Sequence, residues 1–145
     1  MKKDIYEFID IICCNLEIKK PRIQIGKIAF SKGTQLAAYD YKNKKIAIND
    51  PKVYENKADL LFAIAHELRH KYQIDNHKFD FENYRTTEEI PTREYNLQKE
   101  ELDANAYACI VMIDMFGIKP LFNGMDDEII NKIYKRIEEI VKSAK

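Results

Sequence analysis

Apolar residues recur along this chain with a period that changes from segment to segment, and the period names the element. In residues 4–18, Ile5, Phe8, Ile9, Ile12 and Leu16 return every three or four positions. That spacing gathers them on one face of an α-helix. Pro21 ends the segment. Ile23, Ile25, Ile28 and Phe30 follow, and their alternation slips at Gly26-Lys27, which predicts a strand with a bulge or a sharp bend. Residues 31–34 read as a turn. Residues 35–41 and 45–49 read as a hairpin around Lys42-Asn43-Lys44, with Ile46 and Ile48 giving the second strand an apolar face. Asn49-Asp50-Pro51 stops that strand and is a candidate helix start.

Residues 57–74 carry the strongest helical pattern. Leu60, Leu61, Ile64 and Leu68 form the apolar stripe, while Asp59, Phe62, Ala63, His66, His70 and Gln73 make a different face. Residues 98–116 predict a second such helix, closed by Gly117 as a C-terminal cap. One side carries Leu102, Ala106, Cys109, Ile110 and Ile113. A polar side carries Glu100, Asp103, Tyr107 and Asp114, and a third carries Glu101, Ala104, Asn105, Ala108 and Met112. Residues 120–124 read as a loop. Residues 125–143 read as a last amphipathic helix, with Asp126 or Asp127 near its start and Ile129, Ile130, Ile133, Ile137, Ile140 and Val141 inward. The intervening residues 75–97 are polar and irregular, and long loops in compact domains are often functional. Tyr84 and Tyr95 lie there, as candidate donors to a developing oxyanion or as ordinary partly buried tyrosines. A helix, a few strands and three helices predict an α+β domain over residues 1–145, with a small antiparallel or mixed sheet packed against the histidine helix.

Composition narrows the classes. The 145 residues hold 46 % hydrophobic and 33 % charged side chains, with 24 basic against 24 acidic groups. That balance argues against a general nucleic-acid or membrane-surface binder. Met1-Lys2-Lys3 is basic, but Asp4, Glu7 and Asp10 interrupt the apolar residues behind it, so no signal peptide is read. No run approaches membrane-spanning length. The three cysteines include adjacent Cys13 and Cys14. They predict core filler and reduced thiols in a cytosol rather than a disulfide framework.

The chemistry concentrates in Ala65-His66-Glu67-Leu68-Arg69-His70. Histidines at i and i+4 share a helix face and can reach one zinc ion, each at about 2 Å. Glu67 lies about 100° round the helix, poorly placed as a ligand but well placed to take a proton from a water at the metal. A hydrolytic zinc site usually keeps three protein ligands and one open position. The candidates for the third are His77 and a carboxylate downstream. The HExxHxxGxxH pattern would put Gly and His where this chain has Gln73 and Asn76, so His77 is one residue out of step.

The downstream stretch Glu100-Glu101-Leu102-Asp103-Ala104-Asn105-Ala106-Tyr107-Ala108 follows the HExxH helix on another helix. This E-x-(E/D)-A-N-x-(F/Y)-A pattern, with HExxH before it, resembles the ImmA/IrrE-type metallopeptidases. The resemblance covers roughly residues 46–115. It implies a small, cytosolic, zinc-dependent protein with a zincin-like fold, of a kind frequently carried by phages or mobile elements. Several such proteins are linked to cleavage of a DNA-binding repressor. By resemblance, His66, His70 and Glu101 are zinc ligands and Glu67 is the general base. Asp103 stands where the family often has Glu, and Tyr107 where it often has Phe. Ile110-Val111-Met112-Ile113 matches the family's following Leu-Leu-Met-Pro-like stretch only loosely.

Helical rotation agrees on Glu101. At about 100° per residue, Ala104, Asn105 and Ala108 lie within about 60° of it, whereas Asp103 lies about 200° away. The alanines permit close approach of a neighbouring helix, and Asn105 is placed to hydrogen-bond a ligand histidine. Glu101→Ala is therefore expected to weaken zinc binding strongly, and Asp103→Ala and Glu100→Ala to leave it nearly unchanged.

The expected function is a zinc endopeptidase acting on a protein or peptide substrate, a repressor among the candidates, with no direct contact to nucleic acid or membrane. Residues 45–49 are the expected edge strand for an extended substrate. The alternative is a non-catalytic zinc-binding interaction protein that docks to a repressor or host factor. Hydrolysis of a non-peptide substrate has no supporting motif.

Overall fold

The computed structural model describes residues 2–26, 35–49, 57–79, 81–122 and 124–144. The predictions at Lys27, Ile28, Phe30, residues 31–34 and Asp50-Pro51 lie outside the described residues. In chain order the elements are α1 (Lys2–Leu16), β1 (Arg22–Gly26), β2 (Ala37–Asp40), β3 (Lys45–Asn49), α2 (Lys57–Asp75), α3 (Thr92–Asn96), α4 (Lys99–Phe116) and α5 (Asp127–Ser143). The architecture is α+β, with a three-stranded mixed sheet.

Helix α1 buries its predicted stripe of Ile5, Phe8, Ile9, Ile12 and Leu16. Cys13 joins them, while Cys14 is exposed. Gly26 closes β1 at φ 143°, a conformation that side chains disfavour, where the sequence predicts a bend. β2 and β3 form the expected antiparallel hairpin. Its turn is fixed by Asp40, whose Oδ1 accepts the N–H groups of Lys42 and Asn43 at 3.1 and 3.2 Å.

β3 is not an edge strand. The order is β1-β3-β2, with β1 parallel to β3. The hairpin's second strand thus lies in the middle, and Ile46 and Ile48 are fully buried. β2 is an edge, and it packs along α2.

Helix α4 is buried nearly all round because it is wedged between α2 and α5. Ala104 and Ala108 are fully buried, and small residues let helix axes approach closely. On the α5 side, Ala106 packs with Ile129 and Ile133. Most of the predicted polar side of α4 is interior as well: Asp103 is fully buried and Glu100 and Tyr107 nearly so, while Asp114 is exposed. Gly117 caps α4 at φ 65°, its N–H donating to the Ile113 carbonyl at 2.9 Å. Asp126 caps α5 by accepting the Ile129 N–H at 3.0 Å. Val141, expected inward, is 42 % exposed. The segment expected to be irregular holds a 3-10 turn at Phe81–Asn83 and the short α3.

Candidate metal centre

Helix α2 presents His66 and His70 one turn apart, and the first turn of α4 presents Glu101 opposite them. The two Nε2 atoms are 3.1 Å apart. Glu101 Oε1 is 3.3 Å from His66 Nε2, and its Oε2 is 2.7 Å from His70 Nε2. Two ligands each about 2.0–2.1 Å from a tetrahedral zinc stand about 3.3–3.4 Å apart. The donors, with one Glu101 oxygen facing each imidazole, are therefore grouped near the spacing such an ion needs. The chemistry of two imidazoles and one carboxylate also matches a hydrolytic zinc set. Among the described residues, this is the one group of three such side chains whose ligand atoms all lie within 4.8 Å of one another. His77 is exposed in the turn after α2 and is not part of it.

Each imidazole is held from behind. Asn105 Oδ1 lies 2.7 Å from His66 Nδ1, as its position one turn after Glu101 predicts. Gln73 Oε1 lies 2.9 Å from His70 Nδ1. With Nδ1–H donating to an amide oxygen, Nε2 is the nitrogen left to face a metal. Gln73 is in turn fixed: its amide nitrogen donates to Asp103 Oδ2 at 2.8 Å and to the Glu100 carbonyl at 2.9 Å. Asp103 is clamped by Arg69 through Nε and Nη2 at 2.7 and 3.0 Å. Arg136 of α5 reaches its Oδ1 at 2.9 Å. Arg69 lies over the rings of Tyr72 and Tyr107 at 4.3 and 5.0 Å. The sequence signals for this support were thin: Gln73 shares a helix face with His70 at i+3, and nothing local links Asp103 to Arg69 or Arg136.

Glu67 is outside the donor triangle. Its carboxylate faces the backbone N–H of Tyr39. That N–H points to the free edge of β2, because Asn49 N–H bonds the Leu36 carbonyl at 2.9 Å and antiparallel pairs alternate from there. Burial raises the Glu67 carboxyl above its ordinary range; His70 and His66 oppose the rise and Glu101 adds to it. Burial would raise Glu101 too, but the imidazoles of His70 and His66 outweigh it and hold this carboxyl well below the usual value. Burial opposes a charge on His70, yet the Glu101 carboxylate beside it wins and pushes the imidazole up to about 9.

Both tyrosines of the predicted loop reach the site. Tyr84 Oη is 2.8 Å from Glu101 Oε2 and 3.0 Å from Tyr95 Oη. Burial raises both phenols above their ordinary range, and the Glu101 carboxylate adds to the rise.

Compared with known proteins, the chain matches no family model, no curated protein and no solved structure.

Proposed function

We propose that this protein is a zinc-dependent endopeptidase of the ImmA/IrrE type, with a zincin-like domain. The observation that carries the reading is the His66–His70–Glu101 donor triangle with Glu67 beside it and outside it. The resemblance of the Glu101 helix to the family's second motif supports the same assignment. Zinc, when bound, supplies a Lewis acid that polarises the scissile carbonyl and brings the pKa of water toward neutrality. Glu67 takes the proton of the attacking water and delivers it to the leaving amine. Its raised carboxyl suits that task, since a base works best with a pKa near the working pH. Asn105 and Gln73 keep the two imidazoles in register throughout.

The substrate lies extended along β2 rather than β3, because β2 is the edge that runs beside Glu67. Beyond His66, a hollow of about 520 Å³ is lined by Leu36, Phe62, Ala63 and Phe122 together with Asp59 and Lys119. It receives side chains of that substrate. The protein partner is a repressor-like protein in the cytosol. Among the described residues, no helix is long and apolar enough to cross a membrane.

The test pairs metal analysis with proteolysis. Wild type is expected to carry close to one zinc, His66→Ala none, and Glu67→Gln a full complement. Against a peptide library, Glu67→Gln is expected to lose about 10²–10⁴-fold in rate. Equal zinc in wild type and His66→Ala rejects the metal site. Zinc-loaded wild type that cuts no better than Glu67→Gln leaves the docking protein as the correct reading.

A further inference from the structure

Glu101 has two oxygens, and a hydrolytic site works with one of them on the metal. A carboxylate that swings to bind through both fills the position that water must take. The orientation of this carboxylate therefore matters as much as its place.

We propose that Tyr84 is a positioning residue that sets the orientation of the Glu101 carboxylate between the two imidazoles; this rests on the zinc reading above. Tyr84 Oη donates to Oε2 at 2.8 Å. The same Oε2 lies 2.7 Å from His70 Nε2, and Oε1 lies 3.3 Å from His66 Nε2, so each oxygen faces one imidazole. Tyr95 Oη, 3.0 Å from Tyr84 Oη, also faces this carboxylate. Glu101 is 98 % buried, so these few groups set its orientation. With Asn105 on His66 and Gln73 on His70, Tyr84 completes a set in which each ligand has its own hydrogen-bond partner.

The tyrosine is itself held firmly. The Gln98 side chain grips the backbone of the next residue from both sides: Arg85 N–H donates to its Oε1 at 2.7 Å, and its Nε2 donates to the Arg85 carbonyl at 2.8 Å. The ring packs against Phe81, Tyr95 and His70, with centroids 5.3, 6.1 and 6.3 Å away. A hydroxyl fixed this way orients its acceptor, as a mobile one cannot. The same fixing points the hydroxyl at the ligand carboxylate, whereas an oxyanion donor would point at substrate.

The experiment measures Tyr84→Phe and Tyr95→Phe by zinc competition against a chelating dye and by visible absorption of the cobalt(II)-substituted protein. Losing such an outer partner typically weakens metal binding about 10–100-fold. Tyr84→Phe is expected to fall in that range, and its cobalt absorption to change as the carboxylate turns. Tyr95→Phe is expected to move both readouts the same way by less, and serves alone if Tyr84→Phe does not fold. Unchanged affinity and cobalt spectrum in Tyr84→Phe overturn the proposal, whether or not peptide cleavage falls. So does a larger metal effect from Tyr95→Phe than from Tyr84→Phe. Wild type that binds no zinc overturns the metal centre itself, and the proposal with it.

Discussion

His70 Nε2 can hold a proton or a metal, and the two compete for one lone pair. Without metal, the neighbouring Glu101 carboxylate keeps the imidazole protonated up to about pH 9. The folded pKa is raised above the ordinary 6.5, so this charge stabilises the metal-free fold fully below about pH 6.5. The stabilisation is lost as pH rises through the folded pKa of about 9. Glu101 runs the other way: its folded pKa is depressed, so its contribution is present above its ordinary value of 4.5 and is lost toward acid. Chelator-treated protein should therefore lose stability between about pH 6.5 and 9, by at most about 1.4 kcal/mol per pH unit. Urea melts of wild type and His70→Asn across that window check it; equal slopes would mean that no such ion pair forms. Zinc affinity should rise over the same window, because metal must displace the proton. At this scale the grouping of His66, His70, Glu101 and Asn105 was legible, since spacing and helical rotation put them on facing surfaces. Tyr84 read as an oxyanion donor or an ordinary partly buried tyrosine, because an aperiodic segment does not say where a hydroxyl will point.

Elements are tied together here by one buried carboxylate. Asp103 on α4 receives Arg69 and Gln73 from α2 in the interior, and Arg136 of α5 reaches it from a partly exposed position. Removing one partner of a buried ion pair leaves uncompensated charge and typically costs about 3–5 kcal/mol. Asp103→Ala should lose about that much, read by denaturant melts; a loss under about 1 kcal/mol would mean that Arg69 and Arg136 find other partners. The same variant revises an expectation. Asp103 is not a ligand, but it holds Gln73, which holds His70, so its loss should also loosen zinc by up to about 10-fold. From sequence, Asp103 fell on a polar side of α4 that read as separate from the metal face. The period of a helix reveals which residues share a side, not whether a neighbour brings arginines to it. The sheet teaches the same point. The hairpin of β2 and β3 was readable from local alternation, while the parallel pairing of β1 that makes β3 central depends on a partner from before the hairpin.

For the whole molecule, a metal held by His66, His70 and Glu101 would also be a clasp. His66 and His70 belong to the larger hydrophobic core through α2. Glu101 enters on α4, whose other side packs a smaller core with α5. An ion bridging α2 and α4 binds the folded chain and has no preformed site in the unfolded one, so its binding free energy adds to stability. At free zinc about 1,000 times the dissociation constant, the gain is about 4 kcal/mol. For a chain of this size each kcal/mol moves Tm by roughly 3 °C, so zinc should raise Tm by roughly 10–15 °C. Glu67→Gln should show the full shift, because that side chain is not among the three donors. His66→Ala and Glu101→Ala should show almost none. Scanning calorimetry of each protein with chelator and with excess zinc separates the cases. A shift that survives in both ligand variants would come from metal bound elsewhere on the surface. A shift lost in Glu67→Gln would make that carboxylate a ligand, and it could not then be the free base that peptide hydrolysis requires.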